Sequence, residues 1–160
     1  MTYYRPKDVS RACELLAQTG GRVIAGGTDL VVRMERGFVS CEHFIDITHL
    51  PLKEVTLDGD RLTVGSGVNM ATLAGHPLIT EHASLVALAA RDVAAPQIPN
   101  RATISGNIVN ASPAADGVCG IAAYNPVFEV AGPDGTREIP FGQFFKAPGK
   151  TALAAHEILT

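Results

Sequence analysis

From Arg101 through Thr103, Ser105, Gly106, Asn107, Asn110 and Ser112 to Asp116, the chain is a run of small, amide and hydroxyl residues that closes on an acid. Large apolar side chains are almost missing from it. Such a stretch is poor at building a core. It lets main-chain N–H groups come close to a polar ligand, because little side-chain bulk stands in the way. The core must therefore come from the segments on either side, and this stretch is expected to be a polar ligand loop. A second glycine-bearing turn, Ala25-Gly26-Gly27-Thr28-Asp29-Leu30, lies far upstream. Two such turns on one small chain read as two halves of one ligand site.

The flanking sequence can supply a core. Hydrophobic residues make up 46% of the 160 residues and charged residues 18%, which places the chain with globular domains rather than disordered ones. The length suits one domain or two small joined ones. A formal net charge of −3 gives no electrostatic case for nucleic acid or an anionic membrane surface. The longest apolar stretch, Ser84 to Ala95, is broken by Arg91-Asp92 and is too short to span a bilayer. The first residues show no apolar secretory segment, so a cytoplasmic protein is expected. Cys13, Cys41 and Cys119 form no CxxC pair, and each reads as a small buried apolar residue. The five histidines have no metal-ligand spacing, so no metal site is expected on this chain.

Periodicity and punctuation predict a helix over Asp8 to Thr19, with Asp8 as N-cap and Gly20-Gly21 as stop. A short buried strand from Arg22 to Ala25 then runs into the Gly26-Gly27 turn and a helix over 29–36, with Asp29 capping it. A strand over Phe44 to Ile47 completes a small α/β unit. Hairpins are predicted around Gly59 and around Pro133-Asp134-Gly135, a short helix over Asn69 to Ala74, and one long buried helix from Thr80 to about Ala94. Pro96 and Pro99 exclude regular helix after it. Glu157 to Thr160 reads as a last strand.

The Gly26-Gly27 turn is not the dinucleotide fingerprint GxGxxG, because its glycines are adjacent. It is open to two readings: a tight strand-to-helix connection, or a pyrophosphate cradle. Asn107 and Asn110 each donate and accept, which suits phosphate, ribityl hydroxyls or a flavin edge, whereas Asp116 only accepts. Gly149-Lys150-Thr151 looks like the end of a P-loop, but Phe144 stands where that loop needs glycine. No side-chain nucleophile–base constellation is legible. A bound cofactor would have to carry any chemistry, and no catalytic residue is assigned.

Three segments carry a family resemblance. Val23-Ile24-Ala25-Gly26-Gly27-Thr28-Asp29-Leu30 is similar to the first FAD loop of the FAD-binding medium subunits of molybdenum hydroxylases, the family of xanthine dehydrogenase, carbon monoxide dehydrogenase and aromatic-ring hydroxylase flavoproteins. Pro96 to Asn107 with Ala111 to Asp116 is similar to the second loop. Phe145 to Thr151 with Glu157-Ile158-Leu159 is similar to the closing segment. Ser105 and Pro99 depart from the family pattern, which has glycine and arginine there, and Gly117 opens a stretch without the usual proline.

The resemblance implies an α+β, two-lobed FAD-binding module of the p-cresol methylhydroxylase/vanillyl-alcohol oxidase type. Its lobes would be residues 1–55 and 56–160, the second built on a mainly antiparallel sheet. On this resemblance the family's C-terminal flavin-covering domain would be absent. Residues Val23, Ile24, Ala25, Gly26, Gly27, Thr28, Asp29 and Leu30 are implied as FAD contacts around the pyrophosphate. Thr103, Gly106, Asn107 and Asp116 are implied as further contacts, with Val93 and Leu159 as apolar ones. The resemblance also implies an electron-relay role, with the molybdenum cofactor on a large partner subunit and 2Fe–2S clusters on a small one. Three thiols are too few for a cluster that needs about four. Two other readings stay open: a free-standing FAD-dependent oxidoreductase, and a cofactor-free assembly fragment.

Overall fold

Two hydrophobic clusters organise the chain, one in each half of the sequence, and they meet at a shared seam. The computed structural model describes residues 1–93 and 98–160. It is a mixture of helices and sheets. The expected end of the long helix at Ala94 and the segment through Pro96 and Gln97 lie outside the described residues.

The first cluster is built on β1 (Thr2–Tyr4), α1 (Val9–Thr19), β2 (Arg22–Ile24) and β3 (His43–Asp46); α2 (Leu30–Glu35) lies between β2 and β3 in the chain and buries no residue. The strands form a parallel sheet in the order β1-β3-β2, with Tyr3 opposite Phe44 and Val23 opposite Ile45. Helix α1 forms where its punctuation predicts. The Asp8 carboxylate accepts from the Arg11 amide at 2.7 Å, and Gly20, at φ +61°, returns its N–H to Leu16 O. A cap of this kind contributes about 1 kcal/mol. Ala12, Cys13, Leu15 and Leu16 are its buried face.

Strand β2 is half-buried rather than buried, because it is the sheet edge facing the cleft described below. The cap expected from Asp29 is also overturned. Its side chain makes no cap bond, since its backbone is already helical (φ −95°, ψ −46°) and capping needs an extended residue.

The second cluster gathers β4 (Val55–Asp58), β5 (Arg61–Val64), α3 (Met70–Gly75), α4 (Pro77–His82), α5 (Ser84–Asp92), α6 (Ile104–Asn110), α7 (Asp116–Ala122), β6 (Val127–Gly132), β7 (Gly135–Pro140), α8 (Phe141–Phe144), β8 (Phe145–Ala147), β9 (Lys150–Thr151) and β10 (Ile158–Leu159). Both expected hairpins are present, and β10 pairs with β6 in an antiparallel sheet ordered β10-β6-β7. Met70, Leu73, Ile79, Val86, Phe128, Val130 and Phe144 centre the core. Phe128 and Phe144 stand 4.3 Å apart, centroid to centroid.

Two sequence expectations fail here. The single long helix from Thr80 is two helices, broken at Ala83 (φ −142°, ψ 51°), with Pro77 starting the first and Leu85 and Leu88 exposed on the second. The polar stretch after Arg101 is not a loop. Thr103 is extended, and its hydroxyl accepts from the Gly106 amide at 3.1 Å, which caps α6. Ile104 and Ile108, four apart, then share one face and enter the core. Two isoleucines and one cap were enough to make a helix from residues of poor helix propensity.

The seam joins the clusters. Ala131 of β6 and Ile158 of β10 pack with Ala12, Cys13, Leu15 and Leu16 of α1. The Cys13 thiol points to Ala131 O at 3.4 Å, and burial pushes its pKa up. Cys13 is thus the buried residue expected. Cys41 is only partly buried and Cys119 is exposed, against expectation, because α7 turns that face to solvent.

Candidate functional site

A cleft of about 620 Å³ opens above the seam, within the usual range for small-molecule and cofactor sites. Three walls make it: the turn after β2, the capped helix α6 with the start of α7, and the segment 151–159 leading into β10.

The first wall is the glycine turn. Gly27 sits at φ +75°, which glycine adopts without strain. Gly26 serves differently. A Cβ there would stand 1.9 Å from Arg101 O, so its bare Cα is what lets the turn lie against the neighbouring segment. Arg101 Nε adds a bond to Gly26 O at 3.3 Å. The amides of Gly26, Gly27, Thr28, Asp29 and Leu30 donate to no described residue. Gly27 to Leu30 also line the cleft, so four successive donors without a protein partner lie along it.

The second wall is held from behind. Met70 N bonds Ala102 O at 2.9 Å and Ile104 N bonds Val68 O at 3.0 Å, fixing Thr103 between them. Ser105, the departure from the family's glycine, donates its hydroxyl to Ser66 O at 2.6 Å and is buried. Its side chain is committed to the protein. Asn107 Oδ1 is buried without a partner among the described residues, and a Cβ on Gly117 would come within 2.6 Å of it. Glycine at 117 therefore makes the space in which that amide sits.

Glu157 staples the third wall. It accepts from Arg137 Nε at 2.7 Å and Nη2 at 2.8 Å, and from the Ala154 amide at 2.7 Å. The guanidinium holds its carboxyl below the ordinary value against the opposing pull of burial.

Of the residues singled out from sequence, Val23, Ile24, Ala25, Gly27, Thr28, Asp29, Leu30, Val93, Thr103, Gly106, Asn107, Asp116 and Leu159 all line this one cleft. Gly26 does not; it faces Arg101. Sequence reasoning passed over Arg22, Arg33, Leu153 and Glu157, which also line it. The only signal for Arg33 was its place one turn after Leu30 on the same helical face.

The chain matches, over residues 1–160, the family described as "FAD binding domain in molybdopterin dehydrogenase". It belongs to this family. Among its relatives are the xanthine dehydrogenase FAD-binding subunit of Escherichia coli O157:H7 (33% identical over 99% of this chain and 55% of the relative) and the carbon monoxide dehydrogenase medium chain of Hydrogenophaga pseudoflava (33%, 98% and 56%). The solved structure of carbon monoxide dehydrogenase from Hydrogenophaga pseudoflava that lacks the Mo-pyranopterin moiety superposes with a TM-score of 0.96 at 33% identity, over 99% of this chain and 56% of that one. The chain thus spans about half the length of the curated relatives it matches.

The donor set fits FAD, the cofactor for which the family is named. The free amides of the turn and Arg33 suit the anionic diphosphate; Thr28, Asn107 and Asp116 suit hydroxyls; Ile47, Val93, Ile98, Leu153 and Leu159 give an apolar surface for rings. Among the described residues no group of three or more His, Cys, Asp or Glu converges to hold a metal. No helix among them is long and apolar enough to cross a membrane.

Proposed function

We propose that the cleft binds FAD between two lobes, residues 1–55 and 56–160, in the manner of a p-cresol methylhydroxylase/vanillyl-alcohol oxidase module. On this reading the chain is the electron-relay component of a molybdenum hydroxylase. Substrate is hydroxylated at the molybdenum cofactor of a large partner subunit, and electrons arrive through 2Fe–2S clusters of a small one. One observation carries the reading: residues 27–30, whose amides have no partner among the described residues, line the same cleft as Thr103, Asn107 and Asp116.

Bound flavin supplies the ability to take electrons from a one-electron donor and pass them on to an external acceptor. The chain's own residues bind and orient. The amides from Gly27 to Leu30 hold the diphosphate by hydrogen bonds that cost no reorganisation, because the turn is already fixed against Arg101 through Gly26. Asp116, exposed at the start of α7, accepts from hydroxyl or ring N–H donors and is turned away from phosphate by its charge. Val93 and Leu159, both buried, give an apolar floor. No side-chain acid or base is needed for electron relay.

An absorption spectrum of the purified chain tests this. Flavin bands near one per chain, or their appearance on adding FAD, are expected. A chain that stays colourless in excess FAD would be a cofactor-free assembly fragment. Flavin without co-purifying molybdenum and iron would point to a free-standing oxidoreductase.

A further inference from the structure

A side-chain pair joins the first and second walls of the cleft on its solvent side. Arg33 Nη1, on α2, donates to Asn110 Oδ1, on α6, at 3.3 Å. Both residues line the cleft. The bond is long, and its acceptor is a neutral amide. Among the described residues no carboxylate lies within ion-pair distance of Arg33, whereas Arg137 is fully engaged by Glu157. A guanidinium does not lose its proton near neutrality, so Arg33 keeps a whole charge that its present partner does not neutralise.

The rest of the cleft makes that charge matter. Asp29 and Asp116 both line it, and each opposes an anion. Loop amides bring partial charges only. A phosphate oxygen is a far better acceptor for guanidinium than an amide oxygen, because the bond is charge-assisted on both sides. Exchanging Asn110 for phosphate is therefore downhill for Arg33.

We infer that Arg33 selects a diphosphate-bearing flavin dinucleotide over the uncharged flavin riboflavin, and that its bond to Asn110 is a strap the ligand opens. This rests on the proposed flavin site and names the residue that sets its ligand class.

The test compares FAD and riboflavin on the 160-residue chain by flavin fluorescence titration, with circular dichroism melts to show that each variant is folded. Arg33→Ala should weaken FAD by roughly ten- to hundred-fold, flatten the salt dependence of FAD binding, and leave riboflavin affinity as in the wild type. Arg33→Lys should recover part of the FAD affinity. Asn110→Ala should keep the preference for FAD and speed its association, because the cation no longer has to leave a partner. Equal weakening of both flavins by Arg33→Ala, or no weakening of FAD, would overturn the assignment. Slower FAD association in Asn110→Ala would overturn the strap. Wild-type chain that binds FAD beside an unaffected Arg33→Ala sinks this inference alone; wild-type chain that binds neither flavin sinks the parent reading and this one with it.

Discussion

The first two walls of the cleft each carry a glycine, yet only one of the two glycines is demanded by what surrounds it. Gly26 is required by the backbone it touches: a Cβ would collide with Arg101 O at 1.9 Å, and two main chains have no rotamer to yield. Gly106 lies inside α6, where an added Cβ meets only the Thr103 hydroxyl at 3.0 Å. One wall is set by main chain against main chain. The other is a capped helix whose position comes from Ile104 and Ile108 in the core. A glycine-rich motif is thus two different physical objects according to what stands behind it.

The sharpest break in that comparison is Gly26→Ala. The turn has to move off Arg101, costing about 3 kcal/mol in overpacking, or a melting temperature lower by about 6–12 °C. Flavin affinity should fall with it, since the amides of 26–30 move. A variant that melts like the wild type would mean the turn is not held by this contact.

What the sequence showed and what it hid follow the same division. Helix α1 and both hairpins were legible because their signals are local: Asp8, Gly20, Gly59 and Asp134-Gly135 act within a few residues of themselves. Helix α6 was hidden, since Gly106, Asn107 and Asn110 argue against helix, and only burial of two isoleucines outweighs them. Strand β1, three residues long, takes its shape from pairing with distant chain, as Tyr3 with Phe44, whereas β8 and β9 are too short to show a period and pair only with each other. The residues that gather on the cleft were found through motif resemblance rather than periodicity. Arg33 escaped because an exposed arginine on a short helix looks like any solvated charge.

The third wall gives a pH test of intermediate size. Glu157 is held below its ordinary value, first by Arg137 and against burial. At Asp46 burial pushes upward, but bonds from Thr48 and the nearby Arg5, at 3.4 Å, win and lower it. For both, the folded state binds fewer protons than the unfolded chain in acid. Their contribution is complete above the unfolded value of about 4 and drains as pH falls through the lower folded values. Glu157→Gln should therefore lower the melting temperature by a few degrees at pH 7 and by much less near pH 3. A gap that stays constant across that range would mean the staple is not electrostatic.

Smaller in stability, and confined to the second wall, is Gly117→Ala. Its Cβ falls within 2.6 Å of Asn107 Oδ1 and 3.2 Å of Met70 Cε, both ends of side chains that can swing. The fold should lose less than about 1 kcal/mol. The displaced amide should instead cost FAD affinity several-fold in a titration, and the loss should vanish in an Asn107→Ala background, where there is no amide to displace. Additive losses in the double variant would show that Gly117 acts on flavin by another route.

Gly106→Ala is expected to do least, and it is the control that gives Gly26→Ala its meaning. Alanine in a helix gains about 1 kcal/mol over glycine. Crowding the Thr103 hydroxyl at 3.0 Å weakens a cap of about the same worth. The two nearly cancel, so the melting temperature should move by no more than a few degrees in either direction. If Gly106→Ala instead unfolds the chain as Gly26→Ala does, the second wall is also set by a backbone approach, and the distinction between the walls fails. If it leaves stability alone but removes flavin, the Cα of Gly106 faces the ligand, and the helix wall contributes main chain as well as side chains to the site.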